Sequence, residues 1–289
     1  MHHPRPILIA GPTASGKSSL ALKLAVECNG VIINADALQV YECYSILTAR
    51  PNDRDIHQVD HHLYGHIPNI EGYSVGVWLN EIKALLDSLT KTPIIVGGTG
   101  LYFKSLTEGL AYIPPTEPKI REQIQAEFEE HGLAFIQNKL KHVDPDIIVT
   151  IDIQNPRRVM RALEVFEQTG RTLSSWQADT PAPLIESENC QRIVIMPDVE
   201  TTNKRITDRF SSMMDTGAVA EVRAQMPFDP KLPANKALGA LQIAAYLDGE
   251  LSKEAAIEQS VILTRQYAKR QRSWFRSNMK GWEFRNNPI

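Results

Sequence analysis

The stretch from Pro6 to Ser18 constrains this chain more than any other. An apolar run, Ile7-Leu8-Ile9-Ala10, opens directly into Gly11-Pro12-Thr13-Ala14-Ser15-Gly16-Lys17-Ser18, and a helix-compatible run follows from Ser19 to Glu27. A short apolar run bounded by proline and glycine reads as a buried strand. The glycines let the backbone curl so that successive N–H groups face one anion, Lys17 adds a positive charge, and Ser18 offers a hydroxyl to Mg2+. The helix that follows points its positive end at the same place. Strand, phosphate-binding loop and helix in this order belong to a parallel sheet with helical crossovers. The loop leaves open whether the phosphates it grips belong to a nucleotide or to another molecule.

The rest of the chain extends that sheet. Val31–Ile33, Pro93–Val96 and Arg192–Met196 are further apolar runs bounded by Gly, Asn, Asp or Pro, as buried parallel strands are. Between them, residues 74–89 start at Ser74 as a helix cap and repeat Trp78, Ile82, Leu85, Leu86 and Leu89 at helical spacing. The pattern changes after Ile113, where Pro114-Pro115-Thr116-Glu117-Pro118 breaks regular structure. Only helical signals follow, over 117–131, 133–142 and 155–169, and then a polar, proline-bearing stretch, 174–191. Residues 200–280 are again helical in pattern. The predicted fold is α/β: a P-loop-type parallel sheet flanked by helices, built from 1–113 and 191–289, with an all-helical subdomain inserted at 114–190.

Ligands of open parallel sheets sit at the carboxyl ends of the strands. The second strand ends in Asn34-Ala35-Asp36-Ala37-Leu38-Gln39 and the third in Gly97-Gly98-Thr99-Gly100. ATPases commonly place an Asp for Mg2+ at such a strand end, whereas glycines stand at the third strand end here. That turn either brings backbone close to a ligand or is a tight strand-to-helix connection. Asp36 reads as a general base, as a magnesium partner or as a helix cap. A base there requires its nucleophile beside the diphosphate rather than at its far end. That suits attack on a carbon bearing the diphosphate better than attack on a terminal phosphorus.

With a net charge of −3 over 289 residues, nothing global announces nucleic acid, so any such surface is a local patch. Arg157, Arg158 and Arg161 crowd a helix start behind Pro156. Cations there oppose the helix dipole, and an anionic partner relieves the opposition. Arg265, Lys269, Arg272 and Arg276 form a second stripe at helical spacing, a backbone-binding face or a complement to the dipole of a C-terminal helix. Trp274, Phe275 and Trp282 either stack on bases or pack in the core. His57, His61, His62 and His66 lack the cysteine or carboxylate company of a metal site. The hydrophobic content of 43%, the charged content of 22% and the absence of a membrane-length apolar run fit a globular chain. No leader is read in MHHPRPILIAG, and three cysteines without paired spacing suit a reducing compartment, so a cytoplasmic location is expected.

Taken in order, these segments resemble the tRNA dimethylallyltransferases. The resemblance rests on GPTASGKS at 11–18, NADALQVY at 34–41, LTARP at 47–51, HHL at 61–63, YSV at 73–75, IIVGGTGLYFKSL at 94–106, NPRRVMRALEVFEQTGR at 155–171 and RQYAKRQRSWFR at 265–276. It implies that dimethylallyl diphosphate sets its diphosphate on Gly11, Pro12, Thr13, Ala14, Ser15, Gly16, Lys17 and Ser18, with Mg2+ at Ser18. The exocyclic N6 of the adenosine 3′-adjacent to the anticodon then attacks the allylic carbon. Asp36 takes or hydrogen-bonds the N6 proton, Lys17 supports the departing charge, and Thr99 lies against the reacting nucleotide. The resemblance further implies tRNA contacts at Asp36, Ala37, Leu38, Gln39, Thr99, Arg121, Arg157, Arg158, Val159, Met160 and Arg161, a charge for the diphosphate at Lys236, and a monomer of the bacterial type, without a zinc-finger extension. Two places depart from the family pattern: Ala37 stands where a serine is usual, and Lys236-Ala237-Leu238-Gly239-Ala240-Leu241 lacks the usual arginine, tyrosine and second cation. Two other readings stand beside this one: a P-loop kinase that uses ATP on a nucleoside or other small molecule, and a nucleic-acid-binding protein whose catalytic centre has decayed.

Overall fold

A computed structural model describes residues 5–287; the N-terminal MHHP, part of the leader reading above, lies outside the described residues. Six parallel strands form one sheet in the order β3-β2-β4-β1-β5-β6, where β1 is Ile7–Ala10, β2 Val31–Asn34, β3 His61–His62, β4 Pro93–Gly97, β5 Gln191–Ile195 and β6 Glu283–Arg285. The four apolar runs are the four central strands. The two edge strands escape a pattern-based reading because two or three residues carry no usable alternation.

Alternate residues of β1 feed opposite faces. Ile7 and Ile9 pack with Ile32, Ile94 and Ile193 against Leu20, Ala21 and Ala25 of helix α1 (Lys17–Glu27). Leu8 and Ala10 face Trp78, Ile82, Phe103, Leu106 and Phe275 on the other side. The first helix after α1 is the short α2 (Asp53–Gln58). It is followed by α3 (Val75–Ser88), capped by the Ser74 hydroxyl, which accepts from Val77 N, and by α4 (Gly100–Glu108). Trp78 is fully buried and its Nε1 donates to Asn34 O at 2.8 Å. Truncation to alanine there costs about 3–5 kcal/mol and frees the end of β2, two residues before Asp36.

The chain divides into two compact units, one running to Thr107 and resuming at Leu184, the other spanning Glu108–Pro183. These breaks precede the proline cluster and β5 by a few residues. Ile185 already rejoins the sheet unit, where it is buried and its N–H donates to Leu106 O. The second unit contains α5 (Pro118–Val143), α6 (Pro156–Thr169) and α7 (Leu173–Ala178). Gly132, at φ 76°, breaks α5 where the sequence separates two helical runs. Ile124, Ile136, Leu140, Val159 and Leu163 fill this unit's core. After β5 the first unit closes with α8 (Val199–Thr216), α9 (Ala218–Arg223), α10 (Ala240–Leu247) and α11 (Lys253–Asn278). Among the described residues, no helix is long and apolar enough to cross a membrane.

Candidate active site

The glycine loop joins β1 to α1, and its backbone explains its composition. Gly16 caps α1 at φ 92°, a left-handed conformation that glycine adopts without strain. A side chain at Gly11 would stand 2.6 Å from Ile195 O, so the loop lies flush against the end of β5. The first N–H groups of α1 have no partner within the helix, and they open onto the cradle. Ser15 Oγ is buried with no hydrogen-bond partner among the described residues. An unpaired buried hydroxyl costs about 1–3 kcal/mol, a cost that a phosphate oxygen in the cradle relieves.

Three cations converge on this loop. Lys17 Nζ donates to Pro12 O at 3.3 Å. Burial pulls its ammonium down to about 8, against the attraction of Asp36, and the neighbouring Arg209 adds to the depression. From α8, Arg209 donates to Thr13 Oγ1 at 2.6 Å and Arg205 to Ser15 O at 3.2 Å. Burial also lowers the Arg209 guanidinium while Asp36 opposes it. Neither arginine was singled out from the sequence, although a signal existed. They are four residues apart, on one face of a helix that follows the strand beside β1.

Asp36 sits where the sequence placed it, beyond β2. Its N–H donates to Asn34 Oδ1 at 2.8 Å and its Oδ1 accepts from Leu38 N at 3.0 Å, an Asx-type turn that leaves Oδ2 available. A side chain at Gly98 would approach that Oδ2 to 3.2 Å, so the glycine turn after β4 and the carboxylate lie side by side. Thr99 joins the two strand ends: its N–H donates to Ala35 O at 3.2 Å and its Oγ1 accepts from Ala37 N at 3.0 Å. The turn at Ala37 is thus held through its backbone. Asp36, Thr13 and Arg209 open onto a small cavity of about 70 Å3 whose apolar side is formed by Leu38, Leu47, Ile206, Phe210, Met213 and Leu238, with Thr48, Thr264 and Tyr267 completing the lining.

The other expected residues divide. Thr13 is part of the cradle, but its N–H donates to Gln271 Oε1 at 2.9 Å, so it anchors the loop instead of offering that amide to an anion. Gln39 Nε2 donates to Thr48 O and Ala49 O, pinning its own loop. Lys236 is exposed at the end of a short 3-10 turn (Ala234–Lys236), while the arginines of α8 are bonded to the cradle. In the helical unit Arg121, Arg157 and Arg158 are exposed. Arg161 is engaged by Thr116 Oγ1 at 2.6 Å and Glu164 at 3.6 Å. Val159 and Met160 lie in the core of that unit, because a helix with exposed arginines at 157 and 158 turns the next two positions inward.

The C-terminal stripe is corrected in part. Arg272 is buried and donates to Pro197 O, Asp198 O and Thr202 Oγ1, while Arg265 donates to Thr207 Oγ1. Phe275 is in the core, Trp282 packs edge-on against Phe103, and Trp274 fills the space over Gly100. Of the histidines, His61 and His62 form β3, and His66 Nε2 pairs with Glu81 at 3.1 Å. Among the described residues no group of three or more His, Cys, Asp or Glu side chains is placed to hold a metal ion. A cation would rest on Ser18 and on ligand oxygens, which suits Mg2+, an ion that keeps water and phosphate in its shell.

Two family models match the chain: IPP transferase over residues 39–278 and isopentenyl transferase over 5–64. A tRNA dimethylallyltransferase of Cereibacter sphaeroides strain KD131 is 48% identical over 279 residues, covering 96% of this chain and 88% of the relative. Another, from Ruegeria sp. strain TM1040, is 49% identical over 280 residues, covering 96% and 94%. Among solved structures, a eukaryotic dimethylallyltransferase acting on tRNA superposes with a TM-score of 0.82 at 28% identity, covering 97% of this chain and 73% of that one.

Proposed function

The chain belongs to the IPP transferase family, and from that premise we propose that it transfers the dimethylallyl group of dimethylallyl diphosphate to N6 of the adenosine 3′-adjacent to the anticodon of tRNA. The observation that carries the proposal is one cleft in which Thr13, Arg209 and Asp36 stand beside an apolar side of Leu38, Leu47, Ile206, Phe210, Met213 and Leu238, within a lining that also includes Thr48, Thr264 and Tyr267. A five-carbon allylic tail suits that apolar side, and the cations beside it suit the diphosphate. The N6–carbon bond forms as the carbon–oxygen bond to diphosphate breaks, and the N6 proton passes to Asp36 Oδ2. Lys17, Arg209 and the free amides at the start of α1 hold the charge that develops on the departing oxygen. Mg2+ bound at Ser18 would neutralise further diphosphate charge. Exposed Arg121, Arg157 and Arg158 in the helical unit serve as phosphate contacts for tRNA. The target base leaves its stack to reach the carboxylate. The protein works as a cytoplasmic monomer.

The relatives support prenyl transfer over the kinase reading. The test is incubation with tRNA, Mg2+ and either dimethylallyl diphosphate or ATP, followed by mass analysis of the nucleosides. A prenylated adenosine is expected only in the first arm. ADP with a phosphorylated acceptor, and no isoprenoid on RNA, overturns the proposal.

A further inference from the structure

Helix α11 carries two consecutive buried polar side chains, Gln271 and Arg272, at 6% and 7% exposure, on the buried face that also holds Thr264, Ala268 and Phe275. Burying a primary amide is costly unless both its ends are paired. Both ends of Gln271 are: Oε1 accepts from Thr13 N at 2.9 Å, and Nε2 donates to Gly98 O at 2.9 Å. The two partners fix the orientation of the amide, since an N–H needs an acceptor and a carbonyl needs a donor.

The partners are not neighbours in sequence or function. Thr13 belongs to the cradle after β1, and Gly98 to the turn after β4. The ladder between those strands ends at the pair Ala10 and Gly97, so Gln271 is a bridge beyond the last rung. Each partner leads to chemistry. Thr13 accepts from Arg209 through its hydroxyl. Gly98 precedes Thr99, which holds Ala37 and Ala35 next to Asp36. Gly98 also has no room for a side chain, because Gln271 Nε2 would lie 2.5 Å from its Cβ. The amide is therefore pressed against the backbone where the diphosphate side and the carboxylate side of the cleft meet.

We propose that Gln271 is a positioning residue: it clamps the cradle and the glycine turn at one separation, and so sets the distance between the leaving group and the base. The proposal rests on the prenyl-transfer reading above. Displacements of about 1 Å between reacting groups cost on the order of 100-fold in rate, so a side chain that touches neither substrate controls turnover. Glutamate in its place lacks the donor for Gly98, methionine lacks both bonds at similar volume, and asparagine is one methylene short.

The experiment compares wild-type protein with Gln271→Met and Gln271→Glu, using tRNA and dimethylallyl diphosphate. The readouts are kcat, the KM for each substrate, tRNA Kd and thermal midpoint. Gln271→Met is expected to lower kcat/KM for the allylic diphosphate by about 10- to 100-fold with tRNA Kd within about twofold. Combined with Thr13→Val, which removes only the hydroxyl bound by Arg209, it should lose less than the product of the single losses, because both changes loosen one residue. A merely structural role would lower the midpoint and leave the losses multiplicative. Turnover of Gln271→Met within about twofold of wild type overturns the clamp; should that variant not fold, Gln271→Glu with unchanged turnover does the same. Wild-type protein that prenylates no tRNA overturns the reaction instead. In that case, inorganic pyrophosphate binding equal in the wild type and Gln271→Met overturns the clamp, and weaker binding in the variant supports it.

Discussion

Around the cradle, Lys17 and Arg209 are half-buried, partly desolvated and close to Asp36, whereas Arg157 and Arg158 at the start of α6 stand exposed. Desolvation strengthens every charge interaction inside the cleft and lets two cations and a carboxylate act on charge that moves by a few ångströms. Exposed guanidinium groups keep their hydration, act additively on a polyanion, and are screened by salt. Arg272 shows a third use of the same residue type, buried but committed to the carbonyls at the start of α8. Positive charge in the sequence therefore says little until its burial and partners are known.

The comparison is broken most directly at Asp36. Asp36→Ala is expected to lower turnover by about 100- to 10,000-fold with tRNA affinity retained, measured by nucleoside mass analysis and filter binding; a fully active variant refutes the base assignment. Lys17→Met should lower kcat by about 100- to 1,000-fold, and an effect confined to tRNA affinity would place the enclosed lysine with the exposed arginines. Arg272→Met strands two backbone carbonyls and should cost about 2–3 kcal/mol in urea unfolding; a neutral substitution would mean that its bonds are replaced by water.

Arg157→Ala with Arg158→Ala is expected to leave kcat at saturating tRNA unchanged, to weaken tRNA binding, and to reduce its logarithmic salt slope by about 2. An unchanged slope removes that surface from the interface. The smallest effect is a pH signature of enclosure. Below pH 8 Lys17 is protonated in both the folded and unfolded chain, and the cost of burying its charge is present in full. Between about 8 and the ordinary 10.5, the folded lysine sheds its proton while the unfolded one keeps it, so stability rises with pH. The urea midpoint of wild type relative to Lys17→Met should therefore increase from pH 7.5 to pH 9.5, and a flat difference would show that Lys17 is solvated.

Local chemistry was legible in the sequence, and chemistry assembled over distance was not. The cradle, its flanking strand and helix, Asp36 beyond β2 and the break at Gly132 each depend on a few adjacent residues. Arg209 and Gln271 reach the cradle from 196 and 258 residues away, and no spacing rule reports such contacts. Lys236 is a motif-based expectation, and it stands exposed, while Arg205 and Arg209 of α8 are bonded to the cradle. Val159 and Met160 were included with their arginine neighbours, and helical rotation sends them to the core.

The bond between Thr13 and Gln271 also orders events during synthesis. Domains generally fold as the chain emerges, N-terminal parts first, so the glycine loop leaves the ribosome long before α11 exists to brace it. A nascent or truncated chain that stops short of residue 271 displays the whole phosphate-binding motif and still lacks the amide that holds it in place. Competence to bind the donor should thus arrive late in translation, together with the helix that closes the core.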